Sequence, residues 1–433
     1  MRHWFKDQHF RSLLKNSSYL ALSRGVAALC SLATLAFAAR GLGVMLLGTL
    51  ILITSYARAA SGIAKFQSWQ LIVRYGSRGL TDGDPEQFKS STGFAAALDV
   101  VSGLVGMLLA VMLLPLVAPL VGIERQYWWL AMLYCTLLPT MGAASPNGVL
   151  RALDRFDLIS WSGTLTPILR AVLAGIAFVN HAPLAAYVAI WFLSDLAGDM
   201  YQWFLAWREL RRHDLHVGIR PTLKPTTLPG AWKFAIQINL AVGVQTVWGP
   251  VARLAVGGLL GPTGAAFFRI ASSLADSAQK PADLLGKAFY PEIVRMDLAS
   301  KKPWKLMLRG SALATAIALI AIIGLVVGGK PLIHTLFGKE FLGAYTPLLV
   351  LILVPALGVI SFPLVPMLYA LGRAGGPLQA KIIASVTFFL TLAPLSWRFG
   401  VVGAAIALVI ATAVNVAVML IQLRGEYRRV RAK

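Results

Sequence analysis

The chain has 433 residues, of which 57% are hydrophobic and only 13% charged. Soluble domains carry roughly 25% charged residues, and a soluble chain of this length would divide into two or three cores. The formal net charge is +22, yet the basic residues sit in short segments between apolar runs, which points to a membrane and away from a nucleic-acid partner.

The lead WFKDQHFRSLLK, residues 4–15, mixes basic residues with Trp4, Phe5, Phe10 and Leu13. It reads either as an interfacial amphipathic helix or as a basic tail. AFAA at residues 36–39 has the small-residue form of a cleavage site. The apolar run before it is long for a signal peptide, so it reads as a retained first span.

Apolar runs of about 20 residues, long enough for a ~30 Å hydrocarbon core, then recur to the end of the chain. Twelve spans are expected, near 17–39, 44–66, 93–117, 127–146, 158–180, 184–206, 231–258, 262–290, 308–329, 343–370, 376–396 and 400–422. The fold class is thus an all-α integral membrane protein.

Lys and Arg alternate between connections. Those after spans two, four, six and eight hold Arg74, Arg78 and Lys89, then Arg151 and Arg155, then Arg208, Arg211, Arg212, Arg220 and Lys224, then Arg295, Lys301, Lys302 and Lys305. The opposite set holds only Arg40, Arg125, Lys330, Lys339 and Arg398. By the positive-inside rule both termini are cytoplasmic and the span number is even. The basic connection 207–230, with three prolines, reads as a cytoplasmic linker between two six-span halves, 1–206 and 231–433.

The halves resemble each other weakly. RGLGVMLLGTLILITSYARAAS, residues 40–61, aligns with GGLLGPTGAAFFRIASSLADSA, residues 257–278, when Gly43 is set on Gly261. Internal repeats of this scale occur in transporters.

Ionisable residues inside spans are costly and normally face protein or water. In span eight Arg269 is followed by Asp276, Lys280, Asp283 and Lys287 at offsets of seven, eleven, fourteen and eighteen. At 100° per residue these share one face. That face either lines a wet cavity or carries i,i+4 pairs, Asp276 with Lys280 and Asp283 with Lys287. Arg24, Arg58, Asp99, Arg170, Asp195, Asp199 and Arg253 add charge in spans one, two, three, five, six and seven, and Thr54, Ser61 and Lys65 share the Arg58 face. A guanidinium stays charged and binds phosphate in a bidentate way, so arginines at several depths suit a phosphate-bearing substrate. The competing reading is local pairing, with Arg170 on Asp195.

No P-loop, HExxH or nucleophile elbow is present, so no catalytic group and no enzyme is expected. Cys30 and Cys135 lie in apolar runs as small hydrophobes. The histidines do not converge, and no metal or cofactor is expected.

GLGVMLLGTL after span one, LLGPTGAAFFRIASSLAD at spans seven and eight, and FGVVGAAIALVIATAVNV in the last span resemble the polysaccharide-transporter group of the MOP flippases, the Wzx-type lipid-linked oligosaccharide flippases. The resemblance spans nearly the whole chain. It implies two six-helix bundles around a central cavity that opens alternately to each side of a bacterial inner membrane. The implied substrate is an undecaprenyl-pyrophosphate-linked oligosaccharide, with membrane lipids and polysaccharide polymerase machinery as partners. Carried over by span and depth, Arg24, Arg58 and Arg269 are the implied pyrophosphate ligands, with Arg253 and Arg170 beside them. Asp99, Asp195, Asp199, Asp276 and Asp283, with Lys280, serve either H⁺ or Na⁺ coupling or charge pairing. Two rivals stand: a MATE-like cation exporter of the same superfamily, whose cavity should be acidic, and a membrane glycosyltransferase or ligase acting on the same carrier.

Overall fold

Long apolar runs, which can satisfy their backbone at membrane depth only by internal hydrogen bonds, become helices, even with Pro115, Pro167, Pro331 and Pro394 inside them. The structure, a computed structural model, describes residues 8–277 and 302–432 apart from 372 and 374. The described residues form helices, turns and irregular segments, with no strand among them. Among the described residues, six helical stretches are long and apolar enough to cross a membrane.

Helix α1, Gln8–Ala64, is 57 residues long and bends at Gly43, where φ is 71° and ψ 179°. Helix α9, Ala231–Ser277, bends at Gly261, where φ is 70° and ψ −178°. The two glycines that align in sequence therefore share one backbone conformation. A left-handed φ costs an L-residue with a Cβ about 1–2 kcal/mol, which glycine avoids.

Between these, α2 (Trp69–Leu71), a π turn (Ile72–Gly76) and α3 (Ser77–Thr81) make the expected basic loop largely helical. Helix α4, Pro85–Leu120, starts where the Asp84 side chain accepts from the amides of Glu86 and Gln87 at 3.1 and 3.2 Å, with Pro85 in the first turn. Its far half exposes Leu104, Val105, Leu108, Leu109, Met112, Leu113 and Leu116. A contiguous apolar face of this kind fits lipid rather than water.

Span four departs from expectation. Residues 127–146 do not form one helix: α5, Trp128–Cys135, gives way to turns, and α6, Ala144–Ala152, begins after Gly142 and Ala143, both at positive φ. Pro139 and Gly142 lie in the break. Helices α7 (Phe156–Val179) and α8 (Leu184–Arg212) follow. Near the end of α8 the fully buried Glu209 accepts from Arg155, from Arg212 at 3.2 Å and from Arg208 at 3.3 Å.

The connection that follows α8 packs on its own unit. Tyr75 donates to the Pro229 carbonyl at 3.0 Å, Ser90 and Thr227 share a 2.6 Å hydrogen bond, and Leu228 joins Leu71, Phe94 and Leu98 in a buried cluster. The last part holds α10 (Lys302–Phe337), α11 (Tyr345–Leu351), α12 (Leu353–Ser361), α13 (Leu364–Ala370) and α14 (Gly376–Ala432), the last bent at Gly400.

The chain forms two compact units. One is residues Met1–Gly43 with Ile53–Val251; the other is Val44–Leu52 with Ala252–Lys433. Within the second unit Gly48 lies so close to the Pro262 carbonyl that a Cβ would overlap it. Gly48→Ala should therefore destabilise the folded protein by about 1–3 kcal/mol, as overpacking does. Gly25, also helical but with open space where its Cβ would stand, is the control: Gly25→Ala should be neutral or stabilising. Thermal unfolding of both variants in detergent checks this, and equal stability would contradict it.

Candidate functional site

A broken membrane helix leaves carbonyls at the end of one half and amides at the start of the next, and each must find a partner. Here the two ends meet opposite charges. Lys65, the residue after α1, donates to the carbonyls of Pro139 at 3.2 Å and Met141 at 2.6 Å. Asp99 of α4 accepts from the Ser145 amide at 2.8 Å, the Ser145 hydroxyl at 2.6 Å and the Ser68 hydroxyl at 2.6 Å. Ammonium on carbonyls and carboxylate on a helix start are the arrangements that the helix dipole favours. Asp199 of α8 interacts with the Lys65 charge and with the Gly142 backbone.

Asp195, one turn before Asp199, is a second hub. It accepts from Arg170 and from the Tyr134 hydroxyl at 2.5 Å, and Arg58 lies 3.7 Å away. Arg170 also donates to the Ser194 hydroxyl at 2.8 Å and stacks 5.2 Å from the Trp191 ring centroid. The two guanidiniums differ in environment. The Arg170 side chain is 13% exposed, whereas that of Arg58 is 41% exposed. Two cations share one carboxylate, so the group keeps an excess positive charge on the Arg58 side.

Arg58 opens into a cavity of about 430 Å³ within the first unit. Lys65 and Arg151 also line it, with Ser61, Gln67 and Asn147, the aromatic rings of Phe66 and Trp69, and the turn at Met141 and Gly142. No carboxylate is among the described lining residues. Arg58, Ser61 and Lys65 follow at i, i+3 and i+7 on one helix face. Arg151 comes from α6, held by a 2.5 Å hydrogen bond to Asn147 and lying 4.4 Å from the Trp69 ring centroid. Guanidinium and ammonium groups that converge on a cavity with no carboxylate in its described lining are suited to a phosphate or pyrophosphate.

Of the residues singled out in the sequence, the structure groups Arg58, Arg170 and Asp195 directly, with Asp99 and Asp199 at the neighbouring break. Arg253 and Arg269 are half-buried and Asp276 is exposed, all on α9 in the second unit. Arg24 lies on α1. Lys280, Asp283 and Lys287 fall outside the described residues. Arg151, Trp69 and Asn147 were not among the expected site residues. Arg151 had the position of an ordinary loop cation, and Lys65 was placed on the Arg58 face but not counted as a ligand.

Residues 13–295 match the family described as polysaccharide biosynthesis protein. The inner membrane protein YghQ of Escherichia coli (strain K12) is 39% identical over 347 residues, 80% of this chain and 98% of that one. The chain belongs to the polysaccharide biosynthesis protein family. Its fold is like that of the lipid II flippase MurJ in an inward closed conformation (TM-score 0.73, 13% identity, 95% of this chain and 90% of that one). It is also like an inward-facing MATE multidrug resistance transporter of the MOP superfamily (TM-score 0.72, 16% identity, 96% of both chains). A MOP superfamily transporter from Pyrococcus furiosus, described as having a binding pocket of reversed polarity, aligns at TM-score 0.61 with 16% identity, over 97% of this chain and 96% of its own. The family member described here is thus an all-α, multi-pass membrane protein with the MOP-type fold.

Asp195→Asn should cost about 3–5 kcal/mol of stability, because it strands the buried Arg170 charge. Arg58→Gln should cost less than about 1 kcal/mol, since its half-exposed charge is screened. Lys65→Met leaves two carbonyls of the break unmatched and should fall between them, at about 1–3 kcal/mol. Unfolding in detergent ranks the three, and an Arg58 variant as unstable as the Asp195 variant would contradict the assignment of Arg170 as the principal partner.

Proposed function

We propose that the protein is a flippase that carries an undecaprenyl-pyrophosphate-linked oligosaccharide from the inner to the outer leaflet of the bacterial inner membrane. The observation that carries this reading is the cavity lined by Arg58, Lys65 and Arg151 with no carboxylate among its described lining residues. Family membership supports a role in polysaccharide biosynthesis, and the relative's description as an inner membrane protein supports the location. The fold likeness to a lipid II flippase fits a lipid-linked cargo.

In this reading the working parts are two bundles, 1–206 and 231–433, joined by 207–230, with both termini cytoplasmic. They alternate access to the two leaflets. Arg58, with Lys65 and Arg151, takes the pyrophosphate from the cytoplasmic leaflet, aided by Arg24. Arg170 holds Asp195 and so positions Arg58. Arg253 and Arg269 receive the anion on the outward side. An inside-negative potential assists by about 2.3 kcal/mol per charge per 100 mV for each charge that crosses the field. Asp99 and Asp195 are held by strong donors, and the membrane carboxylates, Asp199 and Asp276 among them, serve H⁺ or Na⁺ coupling or charge pairing. The protein acts as a carrier and not as an enzyme, and hands its product to polymerase machinery in the outer leaflet.

A cation exporter is the weaker reading, since a lipophilic cation would meet three like charges in this cavity. Proteoliposomes decide between the two. Translocation of a pyrophosphate-linked carrier should fall at least about tenfold in Arg58→Ala and in Arg151→Ala, the loss expected from one charge-assisted contact of roughly 1.5–3 kcal/mol. Full activity in both variants, or transport of a lipophilic cation by the wild type with no transport of the carrier, would overturn the proposal.

A further inference from the structure

The strap between α8 and α9 is more than a covalent link. At its start Phe204 and Trp207 are exposed on one face of α8, and the Arg211 guanidinium lies 5.2 Å from the Trp207 ring centroid. At its end Trp232 is exposed near the start of α9, and so is Ile236 one turn on. Exposed tryptophans beside a lipid-facing apolar surface mark the headgroup level of a membrane. The strap therefore lies at that level, on the side that the Lys and Arg distribution assigns to the cytoplasm. It is firmly built. The Trp232 indole donates to the Leu223 carbonyl at 3.1 Å and closes a loop that contains Pro225 and Pro229. Leu228 is buried beneath that loop, and Tyr75 and Ser90 bond to Pro229 and Thr227. The Arg220 carbonyl sits so close to Gly93 that a Cβ there would overlap it. None of these contacts uses a lysine ammonium. The loop frames a shallow concavity of about 540 Å³ whose lining includes Leu223, Lys224, Thr226, Trp232 and Lys233. Both lysines are exposed, and no carboxylate is among the described lining residues.

We propose that this concavity binds the headgroup of an anionic phospholipid of the cytoplasmic leaflet. Lys224 and Lys233 hold the phosphate, and Trp232 lies at the glycerol level, where an amphipathic ring is at home. Charge selects the anionic class. A phosphatidylglycerol headgroup brings acceptors and a net negative charge to two ammonium groups. A choline or ethanolamine headgroup brings its own cation, which would meet two like charges and no carboxylate in the described lining. Size agrees: 540 Å³ lies within the roughly 300–1,000 Å³ typical of small-molecule sites. The site shares no lining residue with the cavity of Arg58, Lys65 and Arg151, and it stands whether or not the protein carries a glycolipid. Its effect is on the first unit alone. A lipid that binds only the folded strap stabilises it by mass action, and so holds the turn of Leu228 onto Leu71, Phe94 and Leu98.

The test is retention of single lipids by the delipidated full-length protein, read by native mass spectrometry. The probes are phosphatidylglycerol and phosphatidylcholine with identical acyl chains. Wild type should bind the first phosphatidylglycerol at least about tenfold more tightly than phosphatidylcholine, since each lysine at a membrane surface contributes about fivefold. The double variant Lys224→Gln with Lys233→Gln should lose that preference and leave phosphatidylcholine binding unchanged. Lys224→Arg with Lys233→Arg should keep it. Arg211→Gln with Arg220→Gln makes the same change of charge at exposed strap residues outside the concavity, and should cost less than about twofold. Equal wild-type affinity for the two lipids overturns the proposal. Equal losses in the two glutamine variants also overturn it, because the attraction would then be diffuse. So does tighter binding of undecaprenyl phosphate than of phosphatidylglycerol that depends on Lys224 and Lys233, because the site would then belong to a carrier lipid.

Discussion

The architecture of the first unit depends on how it tolerates a break in the middle of a membrane helix. Unpaired backbone groups at membrane depth cost several kcal/mol each. The break between α5 and α6 exposes carbonyls on one side and amides on the other. Lys65 takes the carbonyls of Pro139 and Met141, and Asp99 takes the Ser145 amide. The two charges come from the residue that follows α1 and from α4, so closing the break also fixes where three spans meet. A continuous helix would need neither charge, and it would leave no turn at Met141 and Gly142 to line a cavity.

The Asp195 hub follows from the same economy of charge. One carboxylate serves Arg170, Tyr134 and Arg58. Arg170, with Ser194 and Trp191 as further partners, is the better-satisfied and more buried cation. Its satisfaction means that the Asp195 charge is largely committed before Arg58 arrives at 3.7 Å. Removing Asp195 would strand two cations, whereas removing Arg58 would leave the other pair intact.

Several of these features were legible in the sequence. The equivalence of Gly43 and Gly261 was visible as a weak alignment and reappears as one backbone conformation. The pairing of Arg170 with Asp195 was one of two open readings, and Arg58, Ser61 and Lys65 fell on one face by simple periodicity. The break itself was hidden. Residues 127–146 are apolar enough to pass for one span, and only Pro139 and Gly142 hinted otherwise. The partner that closes the break, Lys65, lies more than seventy residues away, at a separation of 74 from Pro139. Arg151 was hidden for a related reason. A cation just past an apolar run has the signature of a positive-inside loop, and only the fold turns it back over Trp69. Local pattern identifies which residues are charged and on which face; it does not reveal which faces the chain brings together.

What distinguishes this cavity is the way its positive charge is compensated. A carboxylate beside each cation would satisfy burial and cancel the field that an anion needs. Lys65 donates to two backbone carbonyls, with the Asp99 and Asp199 carboxylates close enough to act on its charge. Arg151 donates to the Asn147 amide and lies over the Trp69 indole, both of them neutral groups. Arg58 shares a carboxylate already held by another arginine. Three cations thus stand at the wall of one cavity whose described lining holds no carboxylate. In the flippase reading, a pyrophosphate that enters draws Lys65 and Arg151 toward itself. Drawing Lys65 away would remove the ammonium from the carbonyls of the break. In the flippase reading, substrate binding and the geometry of the discontinuous helix are in that way coupled through a single side chain.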